Sequence, residues 1–376
     1  MSLFEKRLHV VCLDVPYPAN YGGASEMFNK IRALHAEGVS LILHCYDYGK
    51  GIQPALQRYA TEVHYYERST GHKGVSMTLP YIVASRASAE LLANLSKDTH
   101  PILFEGIHTT HPLHQGLLEG RRCLVRLHNI EHSYYRQMSR HSRDPFRKAY
   151  SFVESLLLER YERETAHRAT LLPISEREAS KIRKEQPKAD VRPLPAFVGL
   201  DTAESETGMG SFCIYHGNLS VAENEKAATW LLKKVFNDLA IPLVVAGKAP
   251  SARLRRLAHR EQHTCIVADP TENEMRDMVR KAQMHVLPSF SDTGVKFKLL
   301  NAVFCGRHVV TNDAMVLGTG LETACHLANS PAAFKSVVTQ LFRRPFEEEE
   351  VTLRERLREM NFDDRANARR LISWIW

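Results

Sequence analysis

The sequence predicts an α/β fold of two Rossmann-like domains, each a doubly wound parallel sheet, and three observations carry that reading. Short β-branched apolar runs alternate with stretches of helical period over residues 1–193, and the alternation resumes at residue 211. Between them "LPAFVGLDTAESETGMG", residues 194–210, breaks both periods with prolines, acids and small residues, as a linker does. The length of 376 residues is also more than one hydrophobic core commonly organises.

The first element is "LHVVCLDVPYP", a buried strand that stops at a proline-marked loop. "NYGGASEMFNKIRALHAEG" follows, with Gly22-Gly23 ahead of apolar residues at helical spacing and Gly38 as the stop. "SLILHCYDY" is the next strand and completes a βαβ unit, which is right-handed in nearly all proteins. Runs at "EVHYY", "PILFEG", "CLVRLHN" and "TLLPIS" continue the first sheet. The second sheet is read from "FCIYHGN", "LVVAGK", "TCIVAD", "HVLPSF" and "HVVTND" within 211–355. Residues 356–376 read as a C-terminal helix whose apolar "LISWIW" needs a surface, and the first domain is expected to supply it.

Composition removes several function classes. With 44% hydrophobic and 25% charged residues, the chain is ordinary for a globular protein, and no run is long enough to span a bilayer. No secretory signal is read, and the seven cysteines are scattered singly without CxxC, so reduced thiols and a cytoplasmic location are expected. The net charge of +7 is dispersed among acids and lacks aromatic interleaving, which argues against nucleic acid. It suits anionic ligands and peripheral association with an anionic inner membrane face.

The most informative stretch is "SDTGVKFKLLNAVFCGRHVVTN", residues 291–312. Lys296 and Lys298 stand where a helix begins, the end that already favours anions. A bound phosphate resolves that conflict, with Gly294 allowing close backbone approach and the first amides facing the ligand. Two residues apart on a helix, the lysines diverge by about 200°, so Lys298 is expected to reach the phosphate and to be dispensable for folding. The alternative is a pair of solvated lysines.

In the first domain Gly22-Gly23 let backbone approach a ligand, or simply turn the chain. Glu105 and His108 lie beyond a strand's carboxyl end. His128, Asn129 and Glu131 either offer polar groups to a ligand or cap a helix. His128-x-x-Glu131-His132 matches a zinc-protease pattern, but His128 closes a strand, so the histidines do not share a helix face. No other spacing suggests a metal, and none is expected. Neither G-x-G-x-x-G after a first strand nor GxxxxGK[ST] occurs.

"YPANYGGASEMFNKIRAL", "VRLHNIEHSYY", "IYHGNLSVAENEKAATWLL" and 291–312 with its continuation "MVLGTGL" resemble retaining glycosyltransferases of family four. The resemblance covers nearly the whole chain. It implies the GT-B fold, two Rossmann-like domains facing a cleft, and transfer of a hexose from a nucleotide-diphosphate sugar without metal or other cofactor. The donor is expected on the second domain, and a glycan or lipid-linked acceptor on the first. His108 matches a family histidine that contacts the transferring sugar. Gly217 and Asn218 match the loop that brings amides to the diphosphate; the usual arginine is missing there, Ser220 and Asn224 read instead as a helix cap, and Lys248 is either the substitute cation or a plain loop lysine. Two family glutamates, eight positions apart, are replaced by Thr293 and Asn301, with Asp292 beside the first. Thr293 and Asp292 are therefore assigned to the reacting sugar and Asn301 to the donor ribose. The same fold with those glutamates lost also suits a non-catalytic nucleotide-sugar-binding or interaction protein, or a nucleotide-sugar epimerase.

Overall fold

The computed structural model describes residues 5–141, 144–291 and 293–376. The chain divides into two compact units, Met1–Gly199 with Asp364–Trp376, and Leu200–Asp363.

The first unit contains β1 (Arg7–Cys12), β2 (Ser40–Asp47), β3 (Glu62–Glu67), β4 (Ile102–Glu105), β5 (Cys123–Leu127) and β6 (Thr170–Pro173). They form one parallel sheet of order β3-β2-β1-β4-β5-β6. Alternate residues of β1 feed two cores. Leu8, Val10 and Cys12 meet one face, with Met27, Ile31 and Leu34 of helix α1 (Gly22–Ala36). Val11 joins Phe104, Val125 and Leu158 on the other face. A period of two with both sides apolar is what a sheet covered by helices requires. Helices α2 (Glu131–His141) and α3 (Pro145–Ala166) pack together beyond β5. Asp144 caps α3 by accepting from the Phe146 amide at 2.9 Å, with Pro145 in the first turn where its missing N–H costs nothing.

The second unit repeats the topology with β7 (Cys213–Asn218), β8 (Leu243–Lys248), β9 (Thr264–Ala268), β10 (Met284–Leu287), β11 (His308–Thr311) and β12 (His326–Leu327). Its order is β12-β11-β10-β7-β8-β9, again parallel throughout. Helices α4 (Ala222–Lys234) and α5 (Phe297–Cys305) follow β7 and β10. In both units the strand order reverses beside the first strand, between β1 and β4 and between β7 and β10. Open parallel sheets bind ligands outside the carboxyl ends at such a switch point.

The chain's end departs from expectation. Instead of one helix over 356–376 there are two, α6 (Glu348–Asn361) in the second unit and α7 (Asp364–Ile375) in the first. The break falls at Asp364, whose carboxylate accepts from the amides of Val198 (2.8 Å) and Gly199 (2.7 Å). Ala368, Leu371 and Ile375 of α7 then enter the core beside α1. The expected linker is also shorter, because Leu194, Ala196 and Phe197 are buried in the first unit. Its apolar residues, not its prolines, decide where the unit ends.

Candidate active site

Both switch points collect residues that the sequence singles out. In the second unit β7 ends on Gly217 and Asn218, and the chain turns sharply into α4. The Asn218 side chain is spent on that turn, its Oδ1 accepting from the Ser220 amide (3.1 Å) and hydroxyl (2.7 Å). Gly247 in β8 lies so close that a Cβ there would stand 1.8 Å from the Gly217 carbonyl oxygen. The neighbouring Ala249 takes φ of 48°, held by its amide's 2.7 Å bond to Asp269 Oδ1. A non-glycine residue in that region is strained, and such strain collects at binding loops. Lys248, just before it, is exposed.

The loop after β10 approaches the same edge. Gly294 has φ of 64°, the left-handed conformation that favours glycine. Lys296 is not inside the helix but is its N-cap, and its Nζ donates to the carbonyls of Ser291 (2.8 Å) and Thr293 (3.0 Å). It folds back on its own loop rather than projecting as a mobile charge. Thr293 Oγ1 lies 3.0 Å from Ser291 Oγ, and Asn301 is exposed further along α5. Asp292 lies outside the described residues.

Lys298 is neither a solvated lysine nor a free-swinging one. Its ammonium donates to Asn224 Oδ1 (2.7 Å) and to the Tyr215 hydroxyl (3.1 Å), and stands 5.0 Å from the centre of the Tyr215 ring. Burial lowers its pKa to about 8, opposed by the Glu223 carboxylate. Tyr215 and Asn224 were not legible as ligands of a lysine 74 or more residues away. Asn224 reads from sequence as part of a helix cap, yet the N-cap is Val221, and Asn224 Nδ2 instead ties the helix back to the Asn218 carbonyl at 2.9 Å.

In the first unit α1 begins at Gly22 with no side-chain cap and no acid in its first turn, leaving its leading amides and positive dipole end for a ligand. Gly23 fits closely, since a Cβ there would be 3.1 Å from the Tyr21 ring. Asp14 braces this loop, accepting from the Tyr21 hydroxyl (2.9 Å) and pairing with Lys50 (3.1 Å). Beyond β4, Gly106 has φ of 83°, and His108 Nδ1 sits 2.9 Å from where its Cβ would be. That buried Nδ1 has no partner among the described residues, and burial, with Arg86 and His128 nearby, holds the ring neutral.

Glu105 does not face a ligand. It is fully buried, and both its oxygens accept from Lys30 (2.7 and 2.9 Å). Lys30 also pairs with Glu26 (2.9 Å), and Glu26 with Arg126 (2.8 Å), so four charges alternate between α1, β4 and β5. Burial opposes ionisation of Glu26, but Arg126 and Lys30 overcome it and lower its pKa to about 2. His128 Nε2 completes the cluster 3.5 Å from Glu105. Glu26, Glu105 and His128 could span a metal ion geometrically. Two resident cations already neutralise the carboxylates, so the donor set does not fit one. Glu26, Lys30 and Arg126 escaped sequence reading. Their signal was an ion pair at i, i+4 beside the apolar positions of α1, and an arginine inside a strand.

Asn129 donates to Glu131 Oε1 at 3.4 Å and does not cap α2. That role falls to Glu162 of α3, which accepts from the Glu131 amide at 2.8 Å and from the His132 ring. Burial and the Glu162 charge raise the Glu131 pKa to about 7.

Residues 211–344 match the family model described as glycosyl transferases group 1. The matched stretch contains Gly217, Lys248 and the loop after β10 that leads to Lys298, so the match and the second switch point coincide. Across the chain the fold is GT-B. S. aureus TarM, in complex with Fondaparinux, alpha-GlcNAc-glycerol and UDP, has a TM-score of 0.69 at 11% identity, covering 98% of this chain and 99% of that one. A. thaliana UGT89C1, complexed with UDP-L-rhamnose, has a TM-score of 0.61 at 10% identity, covering 99% of each. By sequence the chain is 26% identical to an uncharacterized 44.6 kDa protein in the cps region of Klebsiella pneumoniae, over 84% of each chain.

Proposed function

We propose that this chain transfers a hexose from a nucleotide-diphosphate sugar to a glycan or lipid-linked acceptor, with retention of configuration and without a metal ion. The observation that carries the reading is Lys298, a half-buried cation held at the second switch point, within the stretch that matches the glycosyltransferase model. An arriving diphosphate favours the ammonium and offers it a second set of acceptors. The bare first turn of α5, Gly217, Gly294 and exposed Lys248 supply further amides and charge, which stabilise the leaving diphosphate as its charge develops. Asn301 serves the ribose. Thr293 and Asp292 serve the transferring sugar, and in the first unit His108 offers a neutral ring as a hydrogen-bonding group. Also in the first unit, the first turn of α1 at Gly22-Gly23 with Asn129 is the ligand-facing set, whereas Glu131 is buried and His128 Nε2 lies in the Glu105 cluster. Front-face attack is the course that fits: the acceptor hydroxyl oxygen bonds to the anomeric carbon as the diphosphate oxygen leaves, and that oxygen takes the hydroxyl proton.

The acceptor proposal rests on α3. Phe146, Tyr150, Phe152, Val153 and Leu156 are all exposed on this helix, and Phe146 is 85% exposed. An apolar stripe of this extent marks an interaction surface. Arg147 and Lys148, exposed beside it, suit an anionic lipid surface. No helix among the described residues is long and apolar enough to cross a membrane, so the contact proposed is peripheral.

A thermal-shift panel of nucleotide sugars, followed by transfer and hydrolysis assays on each stabilising ligand, tests the reaction. Binding with transfer supports it, and binding that persists in excess chelator supports the metal-free course. Binding without turnover favours the non-catalytic reading that the absent glutamates at 293 and 301 suggest. Donor conversion without acceptor would make the protein an epimerase.

A further inference from the structure

Away from the switch point, the second unit brings together three residues that are distant in sequence. His308 opens β11, His326 opens β12, and Glu350 lies in the first turn of α6. One potential ligand atom from each lies within 4.8 Å of the other two.

Hydrogen bonding assigns the tautomer of His308. Its Nε2 lies 3.1 Å from the Arg344 carbonyl oxygen, which can only accept, so Nε2 carries the proton. The lone pair on Nδ1 is then directed elsewhere, and Nδ1 is buried with no hydrogen-bond partner among the described residues. It faces Glu350 Oε1 at 3.4 Å; the His308 side chain is fully buried and that of Glu350 is 22% exposed. Two acceptors turned towards each other at this distance, one of them fully buried, repel unless a cation stands between them. The spacing suits one. Ligands about 2.0–2.1 Å from a tetrahedral zinc ion are separated by roughly 3.4 Å. A ligating histidine that donates its other N–H to a backbone carbonyl is also the usual supporting arrangement.

We propose that His308, His326 and Glu350 bind a divalent transition-metal ion of the zinc type, tying the first turn of α6 to the edge of the second sheet. Two imidazoles and one carboxylate favour zinc over magnesium or calcium, which prefer oxygen alone. Glu350 binds through Oε1, because Oε2 already accepts from the Glu347 amide (3.1 Å) and faces Arg344 (3.7 Å). Arg344 and buried Arg354 are the charges opposing a cation here. Arg354 is engaged by the Gly306 and Arg307 carbonyls and the Ser205 hydroxyl, and Arg344 is half exposed.

The site lies outside the proposed donor loops, so its test is binding of the metal alone. Titrate Co2+ and Zn2+ into the chelator-stripped full chain, reading visible d–d absorption and Tm. One equivalent of Co2+ with tetrahedral absorption is expected, and Zn2+ at 100 times its Kd should raise Tm by about 5–10 °C. His326→Ala and Glu350→Gln should each weaken Co2+ binding at least about 10- to 100-fold. They are preferred to His308→Ala because their side chains are partly exposed and Gln keeps an oxygen for the Glu347 amide. Chelation should lower Tm while leaving nucleoside-diphosphate affinity unchanged, which separates this ion from any role in transfer. Absent d–d absorption, or a Co2+ affinity that neither variant changes, overturns the proposal.

Discussion

Lys298 shows how burial changes the meaning of a residue. Read as a mobile surface cation, it should be dispensable for folding. Held by Asn224 and Tyr215, it is not. Lys298→Ala leaves those two groups without their donor and is expected to cost about 1–3 kcal/mol of stability, measurable as a lower urea midpoint. The same substitution should weaken nucleoside-diphosphate binding by roughly 10- to 150-fold, because a hydrogen bond to a charged group contributes about 1.5–3 kcal/mol. Nucleoside alone should bind nearly as before. A pKa of about 8 also predicts a pH dependence. Below pH 8 the ammonium is present in the free protein. Above it, diphosphate binding must first recover a proton, so affinity should fall with rising pH in the wild type and stay flatter in Lys298→Ala. Equal losses for nucleoside and diphosphate, or identical pH profiles, would remove Lys298 from the site.

At the scale of elements, close approach and buried charge hold the loops in place. Gly247→Ala would drive a methyl into the Gly217 carbonyl and force β7 and β8 apart where they end. Donor binding should be lost even if the variant folds, because the turn into α4 starts at that point. Near-normal donor affinity in a folded Gly247→Ala protein would show that the β7 loop does not hold the diphosphate. In the first unit, Glu26→Gln removes one carboxylate from between Lys30 and Arg126 and leaves uncompensated buried positive charge. Breaking a buried pair in this way typically costs about 3–5 kcal/mol. Chemical denaturation of the variant should show that loss, and a loss below about 1 kcal/mol would mean that water reaches the cluster.

Over the whole molecule, buried neutral histidines set the response to acid. Burial pushes His44, His108 and His285 well below their ordinary value, and burial with Lys298 nearby takes His216 to about 3. Below about pH 6.5 the unfolded chain protonates these rings while the folded chain does not, so the unfolded state binds more protons and stability falls with pH. Each such histidine costs about 1.4 kcal/mol per pH unit across that window. Glu131, raised to about 7, and Glu154, raised by burial, act in the opposite sense, since the fold binds protons there that the unfolded chain releases. Two carboxyls against four imidazoles do not reverse the trend. Denaturant midpoints at pH 7.5, 6 and 5 should therefore decline steeply, and a flat series would show that these rings are solvated.

What the sequence determined by itself was whatever local periodicity and turn chemistry control. Alternating apolar runs and helical stretches located both parallel sheets, and loops at strand ends located Gly22, His108, Gly217, Gly294 and Lys298 at the two switch points. Tertiary structure decided which of those side chains remain available. Glu105 became a buried partner of Lys30, Lys296 turned back on its own loop, and the C-terminal helix split because Asp364 caps the amides of Val198 and Gly199. The Glu26–Lys30–Glu105–Arg126 alternation and the grouping of His308, His326 and Glu350 join residues from separate elements. No spacing along the chain encodes such meetings, because strand order and helix packing bring the partners together and burial then decides which charges must be matched.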